Sequence, residues 1–225
     1  MIAKLIISTI AVYAATGALL FAAAGTWRWP QAWILVIEMA ASGFAVGLWL
    51  ARHDPGLLAE RLAPPIQRDQ ERQDKFFMMC IAVLWIGWHI LMALDAMRYR
   101  LSQVPAWAQC IGALLILLSM VATFLTFRAN SFAAPVVKIQ EARGQTVVTT
   151  GPYRYVRHPM YAGAILMFVG IPLLLGSVYG LALAPLWVVL LALRIPMEER
   201  MLKEKLDGYG DYATRVRYRL IPGIW

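Results

Sequence analysis

The sequence predicts an all-α integral membrane protein with about six transmembrane helices, the last two a tight hairpin, and both termini cytoplasmic. Three observations predict it. Of 225 residues, 60% are apolar and only 15% are charged, where a soluble domain carries about 25% charged residues. The mean hydropathy is +0.61, too high for a chain that must coat a globule with polar surface. The apolar residues also gather into runs that match the roughly 20 helical residues needed to cross a hydrocarbon core of about 30 Å. A soluble enzyme, a disordered tail and a disulfide-stapled secreted module are excluded.

The runs fall at 4–24, 31–51, 76–96, 106–127, 160–175 and 178–195. Lys4 and Ala22-Ala23-Ala24 give the first run the outline of a signal peptide. Its apolar stretch exceeds the usual length of about 7–15 residues, so it reads as a retained helix. The last two runs are short, and Pro172, Gly176 and Gly180 mark either a hairpin bend or a break in one long helix.

Charge separates those alternatives. With six crossings, only Arg28, Arg98 and Arg100 fall on one side, and the other 18 of the 21 basic residues share the opposite side with both termini. A five-crossing chain would carry the seven basic residues from Arg194 to Arg219 across and leave 11 against 10. Lys and Arg collect in cytoplasmic loops, so six crossings with cytoplasmic termini follow. The net charge of +8 is then a topological signal, and no nucleic-acid partner is expected. The division is 1–127, four helices with a cytoplasmic loop at 52–75, and 128–225, a second unit with its own loop, hairpin and tail.

Charged groups in hydrocarbon are functional candidates by default. Glu38 and His89 fall at similar depth in antiparallel spans and could pair, most simply as a structural hydrogen bond. Asp95 reads as interfacial. Loop 52–75 carries Arg52, Asp54, Glu60, Arg61, Arg68, Asp69, Glu71, Arg72, Asp74 and Lys75, with Leu57, Leu58 and Leu62 as an apolar stripe. That pattern suits a short amphipathic helix in the headgroups, with a lid over a site as the alternative. Cys80 and Cys110 start spans at opposite faces, so they read as core residues and not as a disulfide. No Cys/His cluster has metal-ligand spacing, and no metal is expected.

The chemistry concentrates after residue 128. Gln145-Thr-Val-Val-Thr-Thr150 is β-branched and does not suit a span, and Gly151-Pro152 signals a turn. Pro159 suits the first turn of a helix. That helix enters the membrane with its free N–H groups and positive dipole end at the cytoplasmic face, a site for a carboxylate or other anionic group. Arg157 and His158 flank it. Where the last span leaves the membrane, Arg194 and Glu198 are four apart on one helical face, with Glu199 beside them. An ordinary salt-bridged helix end is the plainer reading of that trio.

Taken in order, Arg157-His158-Pro159-Met160-Tyr161-Ala162-Gly163, Glu198-Glu199 and the stretch from Gly208 to Pro222 resemble the isoprenylcysteine carboxyl methyltransferase family, itself related to the phospholipid N-methyltransferases. The likeness covers about 128–222. It implies an S-adenosylmethionine site at the cytoplasmic face, closed by the segment after the last helix. It implies cofactor contacts from Lys138, Gln145, Thr146, Val147, Val148, Tyr153, His158, Pro159, Met160 and Tyr161, and acceptor-side roles for Arg194 and Glu198. Gln145 stands where that family often has histidine, and Lys138 where it has glutamine.

The residue chemistry agrees. A helix N-terminus suits the carboxylate of the cofactor's amino-acid end, and Glu198 or Glu199 its ammonium or ribose. Tyr153 and Tyr161 offer faces to adenine or sulfonium. The expected partners are membrane lipids and a lipophilic or membrane-associated methyl acceptor. Carboxylate O-methylation, with Arg194 orienting the acceptor, is favoured over amine or thiol methylation. A sterol-reductase-like enzyme would need a dinucleotide site, and no GxGxxG is present. A non-enzymatic transporter or assembly factor would rest on Glu38 and His89.

Overall fold

The helices expected from the apolar runs form, and their ends show why each stops where it does. The computed structural model describes residues 1–64, 66–67 and 70–225, so Arg68 and Asp69 of the charged loop lie outside the described residues. The architecture is all-helical, with no strand among those residues. Helix α1 (Ile2–Ala24) ends at Gly25, whose left-handed φ of 72° lets its N–H cap the carbonyls of Phe21 and Ala22. Helix α2 (Pro30–His53) opens with proline in its first turn. It is followed by the short α3 (Pro55–Arg61), capped by the Asp54 side chain accepting from Leu57 N. Helices α4 (Arg72–Ala93), α5 (Ala106–Ala129) and α6 (Pro159–Leu175) follow, and then α7 (Val178–Ala182), α8 (Ala184–Lys205) and α9 (Tyr209–Arg215).

Five segments are long and apolar enough to cross a membrane: α1, α2, α4 with its π-helical extension to Arg98, α5, and α7 with α8. Helix α6 is a sixth apolar helix of 17 residues, about 25 Å long at the usual rise. Together they make a multi-pass membrane protein. Residues such as Ile7, Ile10, Ile37, Val83 and Leu193 stay exposed on its flanks, which fits a surface solvated by hydrocarbon and not by water.

The hairpin bends at Gly176 (φ 85°) and Ser177, whose Oγ accepts from Gly180 N to cap α7. Pro172 remains inside α6, and Gly180 instead lets Met92 approach: a Cβ there would lie 2.4 Å from Met92 Cγ. The closest packing is between α5 and α6. A Cβ on Gly112 would stand 2.4 Å from the Leu174 backbone nitrogen, and one on Gly170 2.8 Å from the Gly112 carbonyl. Small residues let the two backbones touch.

Four expectations change. The amphipathic helix forms as α3, but Leu57 and Leu58 are buried against Leu5, Leu50 and Phe127 and not in headgroups, because the Asp54 cap turns α3 back under α2. Asp95 is buried, accepting from Ser102 Oγ at 2.7 Å and Ser177 Oγ at 2.6 Å. His89 keeps its hydrogen bond inside α4, with Nδ1 2.9 Å from the Trp85 carbonyl, so the pair with Glu38 does not form. Cys110 is exposed on the outer face of α5 and not in the core.

Neighbouring helices run antiparallel: Leu5 packs at Gly47, Ala122 at Gly163, and Asp74 pairs with Arg194. One end of the bundle therefore gathers the start of α1, α4 and α6 with the end of α2, α5 and α8. The loops and tail that follow these ends all meet there.

Candidate functional site

At this end, residues 130–158, the mouth of α6, the last turns of α8, and α9 enclose a cleft with about 790 Å³ of space, part of it open to solvent. Three buried ionic nodes position its walls. Asp74, 1% exposed at the start of α4, accepts from Arg194 Nε at 2.9 Å, Gln70 Nε2 at 2.8 Å and the Val137 backbone N–H at 2.9 Å. It thus ties α4 and α8 to the loop. Lys138 Nζ lies 2.9 Å from Glu60 Oε2 and donates to Gln67 Oε1 at 2.7 Å, anchoring the same loop to α3 and the segment after it. The loop closes on itself where Gln140 N donates to Gln145 Oε1 at 2.8 Å.

The third node is Glu199. Its carboxylate takes Arg157 Nε at 2.6 Å and Arg219 Nε at 3.2 Å, with His158 Nε2 3.2 Å away. Arg157 Nη1 continues to the carbonyls of Val216 (2.7 Å) and Arg217 (2.8 Å), and the backbone N–H groups of Arg157 and His158 donate to Tyr218 and Arg219. The tail after α8 is thereby fastened across the front of α6. It carries Tyr209 and Tyr212 into the cleft wall.

Every residue that the motifs singled out for a cofactor, Glu199 apart, lines this cleft: Lys138, Gln145, Thr146, Val147, Val148, Tyr153, His158, Pro159, Met160 and Tyr161. Glu198 lines it as well and accepts from Tyr161 Oη at 2.7 Å. Glu199 lies behind the wall, its oxygens taken by the three basic groups. Arg194 also stands behind the wall, with its guanidinium carbon 5.7 Å from the Tyr161 ring centre and a donor to the Pro135 carbonyl at 2.9 Å. The sequence reading missed Asp74, Tyr209 and Tyr212. Asp74 was one of ten charges in a loop, and nothing in its immediate neighbourhood distinguished it.

The electrostatics follow burial. The first intrahelical bond of α6 runs from Ala162 N to His158 O, leaving the N–H groups of Met160 and Tyr161 without helical acceptors at the positive end of the dipole. The His158 ring stacks on Tyr161, with centroids 5.5 Å apart and planes at 3°. Burial pushes the Tyr153 phenol up, against the hydrogen bond that Asn130 Nδ2 donates to it. Burial also raises Tyr209, whose hydroxyl has no hydrogen-bond partner among the described residues. Tyr212 is pushed up to about 12 by burial and donates to the Tyr153 carbonyl at 2.9 Å. No group of three or more His, Cys, Asp or Glu residues that could hold a metal occurs among the described residues.

Residues 107–208, which run from the start of α5 to the turn before α9, match the phospholipid methyltransferase family. The chain matches that family over less than half of its length. Over 114 residues it is also 32% identical to protein-S-isoprenylcysteine O-methyltransferase B of Arabidopsis thaliana. That alignment covers 49% of this chain and 57% of the relative, so the chain spans little more than half the length of the curated relative it matches. Both findings bear out the resemblance read from the motifs. The methyltransferase-family segment contains the loop, α6 and α8, hence most of the cleft. Helices α1 to α4 lie outside it.

Proposed function

We propose that the chain is an S-adenosylmethionine-dependent methyltransferase acting on a lipophilic acceptor, with the cleft and both termini on the cytoplasmic side. The observation that carries this reading is the convergence of the ten motif residues on one cleft at the basic end of the bundle, inside the family-matched segment. The excess of basic residues at that end supports the orientation, and a cofactor made in the cytosol reaches a cleft on that side.

The residues present fit the cofactor. Tyr209 offers a buried hydroxyl that lacks a partner among the described residues, and such groups are rare unless a ligand or water satisfies them. The N–H groups of Met160 and Tyr161 suit a carboxylate, and the cleft mixes the apolar Val136, Val147 and Leu202 with polar side chains. When bound, adenosylmethionine supplies an activated methyl on a sulfonium. The chain's own work is to hold donor and acceptor in line and to keep water out. Glu198, held by the Tyr161 hydroxyl, is the carboxylate that faces the cleft. Arg194, behind the Tyr161 ring, acts as a positioning residue for this pair. The tail pinned by Arg157 covers the cleft.

Carboxylate O-methylation is the favoured chemistry, since a carboxylate is ionised at neutral pH and needs no base. An amine acceptor is the second reading, favoured by the phospholipid methyltransferase match, and would draw on Glu198 as general base. Calorimetry of adenosylmethionine with detergent-purified protein tests the proposal. Binding by the wild type, lost in Tyr209→Phe with His158→Ala, is expected. Folded wild-type protein that takes up none would overturn it.

A further inference from the structure

The segment that leads into α6 has two faces. Tyr153, Arg157 and His158 line the cleft, whereas Pro152, Tyr155 and Val156 line a separate groove between α5, α6 and the tail. This groove has about 970 Å³ of space, part of it open to the surroundings. Leu125 of α5, Leu166 of α6 and Leu220 and Ile221 of the tail complete its walls, and no charged side chain among the described residues lines it. Tyr155 is 68% and Ile221 42% exposed, and Ile224 beyond them is 77% exposed.

Two arginines stand at its rim. Arg128 is one helical turn beyond Leu125 on α5, and Arg154 lies in the chain between Pro152 and Tyr155. The turn at Gly151–Arg154 sits against the end of α5 and brings both to one corner. A Cβ on Gly151 would lie 2.9 Å from Ala129 Cβ, and Asn130 Nδ2 donates to Tyr153 Oη at 2.8 Å. Both arginines are exposed, and neither guanidinium has a hydrogen-bond or ion-pair partner among the described residues. The stretches that build this flank, 96–140, 142–197 and 212–225, contain no Asp or Glu. Other arginines at this end are neutralised, Arg157 and Arg219 by Glu199 and Arg194 by Asp74. A cationic rim over an apolar groove matches an anionic phospholipid, with an acyl chain along the groove and the phosphate between the guanidinium groups. A free phosphate gains nothing from the groove, and a zwitterionic lipid brings a cation of its own to the same arginines.

Groove and cleft also share the tail. The backbone N–H groups of Arg157 and His158 donate to Tyr218 and Arg219, and those of Arg219, Leu220 and Ile221 donate to the Trp225 carbonyl. The piece of tail that walls the groove thus continues the strap that carries Tyr209 and Tyr212 into the cleft. We propose that this flank binds an anionic membrane phospholipid, its phosphate on Arg128 and Arg154, and that the bound lipid holds the tail against the bundle and keeps the cleft closed. The lipid is a regulator and not an acceptor, since residues 152–159 separate it from the cleft. Its site stands whether or not the cleft takes adenosylmethionine.

Native mass spectrometry of the detergent-purified chain, titrated with dioleoyl phosphatidylglycerol or dioleoyl phosphatidylcholine, reads the site. The anionic lipid is expected to bind at least about fivefold tighter, the ratio for one arginine beside an anionic lipid. Arg128→Gln with Arg154→Gln should remove that preference, and lysine at both positions should keep most of it. Tyr155→Asp, at an exposed position, should weaken phosphatidylglycerol alone, and serves if the double variant does not fold. Hydrogen exchange of the amides of residues 216–222 in nanodiscs reads the coupling. Admixing phosphatidylglycerol with phosphatidylcholine should slow that exchange in the wild type and leave it unchanged in the double glutamine variant. Equal binding of the two lipids by the wild type would overturn the site. So would a preference that survives the double glutamine variant, a Tyr155→Asp protein that binds phosphatidylglycerol like the wild type, or release of the lipid by inorganic phosphate. Tail exchange indifferent to phosphatidylglycerol in the wild type would overturn the coupling. Adenosylmethionine calorimetry reads the methyltransferase proposal separately, because neither lipid measurement requires the cofactor.

Discussion

Arg157 Nε lies 2.6 Å from Glu199 Oε1, and this buried pair joins three parts of the chain. Arg157 precedes α6, Glu199 sits in the last turns of α8, and the same guanidinium holds the carbonyls of Val216 and Arg217 in the tail. The two residues are 42 apart in sequence. Their contact turns a terminal segment that would otherwise fray into a wall of the cleft.

Removing one partner strands the other. Glu199→Gln leaves Arg157, His158 and Arg219 clustered without an anion. The expected loss is about 3 kcal/mol or more, the range for breaking a buried pair. Detergent-solubilised protein should unfold at lower temperature, and trypsin should cut after Arg215 and Arg217 before it cuts elsewhere. A tail no more accessible than in the wild type would show that other contacts hold it.

Asp74 and Arg194 form the second tie, and here the backbone of the cleft loop is also at stake, since Asp74 accepts from Val137 N. Asp74→Ala should lower thermal stability and weaken adenosylmethionine binding, because Val137 and Lys138 line the cleft. In a double-mutant cycle with Arg194→Ala, a coupling of about 2 kcal/mol is expected for groups in direct contact. Additive losses would mean that the pair is not the link between α4 and α8.

How far the sequence reveals this architecture depends on the range of each interaction. The apolar runs are local, so the six apolar helices are readable within a few residues. Pro159 and Gly176 mark both ends of α6 because helix start and stop chemistry is local too. Glu199 was grouped with the cofactor residues from adjacency to Glu198, yet successive helical residues point about 100° apart, and the structure turns Glu199 to the basic cluster and Glu198 to the cleft. Tyr212 and Asp74 act through Tyr153 and Arg194, 59 and 120 residues away, for which one chain gives no signal. The small-residue seam of α5 and α6 was hidden by general Ala and Gly richness.

That seam makes a stability prediction. Gly112→Ala places a methyl carbon 2.4 Å from the Leu174 nitrogen, which is backbone and cannot rotate aside. Overpacking of this kind costs about 1–3 kcal/mol, here against a modest gain in helix propensity of about 1 kcal/mol. Gly87→Ala on α4, where a Cβ meets nothing within 4 Å, is the matched control and should be neutral or slightly stabilising. Thermal unfolding of the two variants beside the wild type decides it. Equal midpoints would mean that α5 and α6 can separate without loss.

Tyr212 supplies a pH signature for the tail. Burial raises its phenol to about 12, against the pull of Arg157, while an unfolded tyrosine ionises near 10. The folded state thus holds the proton more tightly. The stability from this group is fully present below pH about 10 and is lost as pH rises through about 12. Raised phenols at Tyr153 and Tyr209 act in the same direction. Tyr212→Phe keeps the ring packed and removes the titration, at the cost of the hydrogen bond to the Tyr153 carbonyl. The variant should therefore start about 1 kcal/mol less stable at neutral pH and lose less than the wild type between pH 10 and 12. Parallel stability curves across that interval would show that Tyr212 ionises as it does in water, and that the tail is not packed as described.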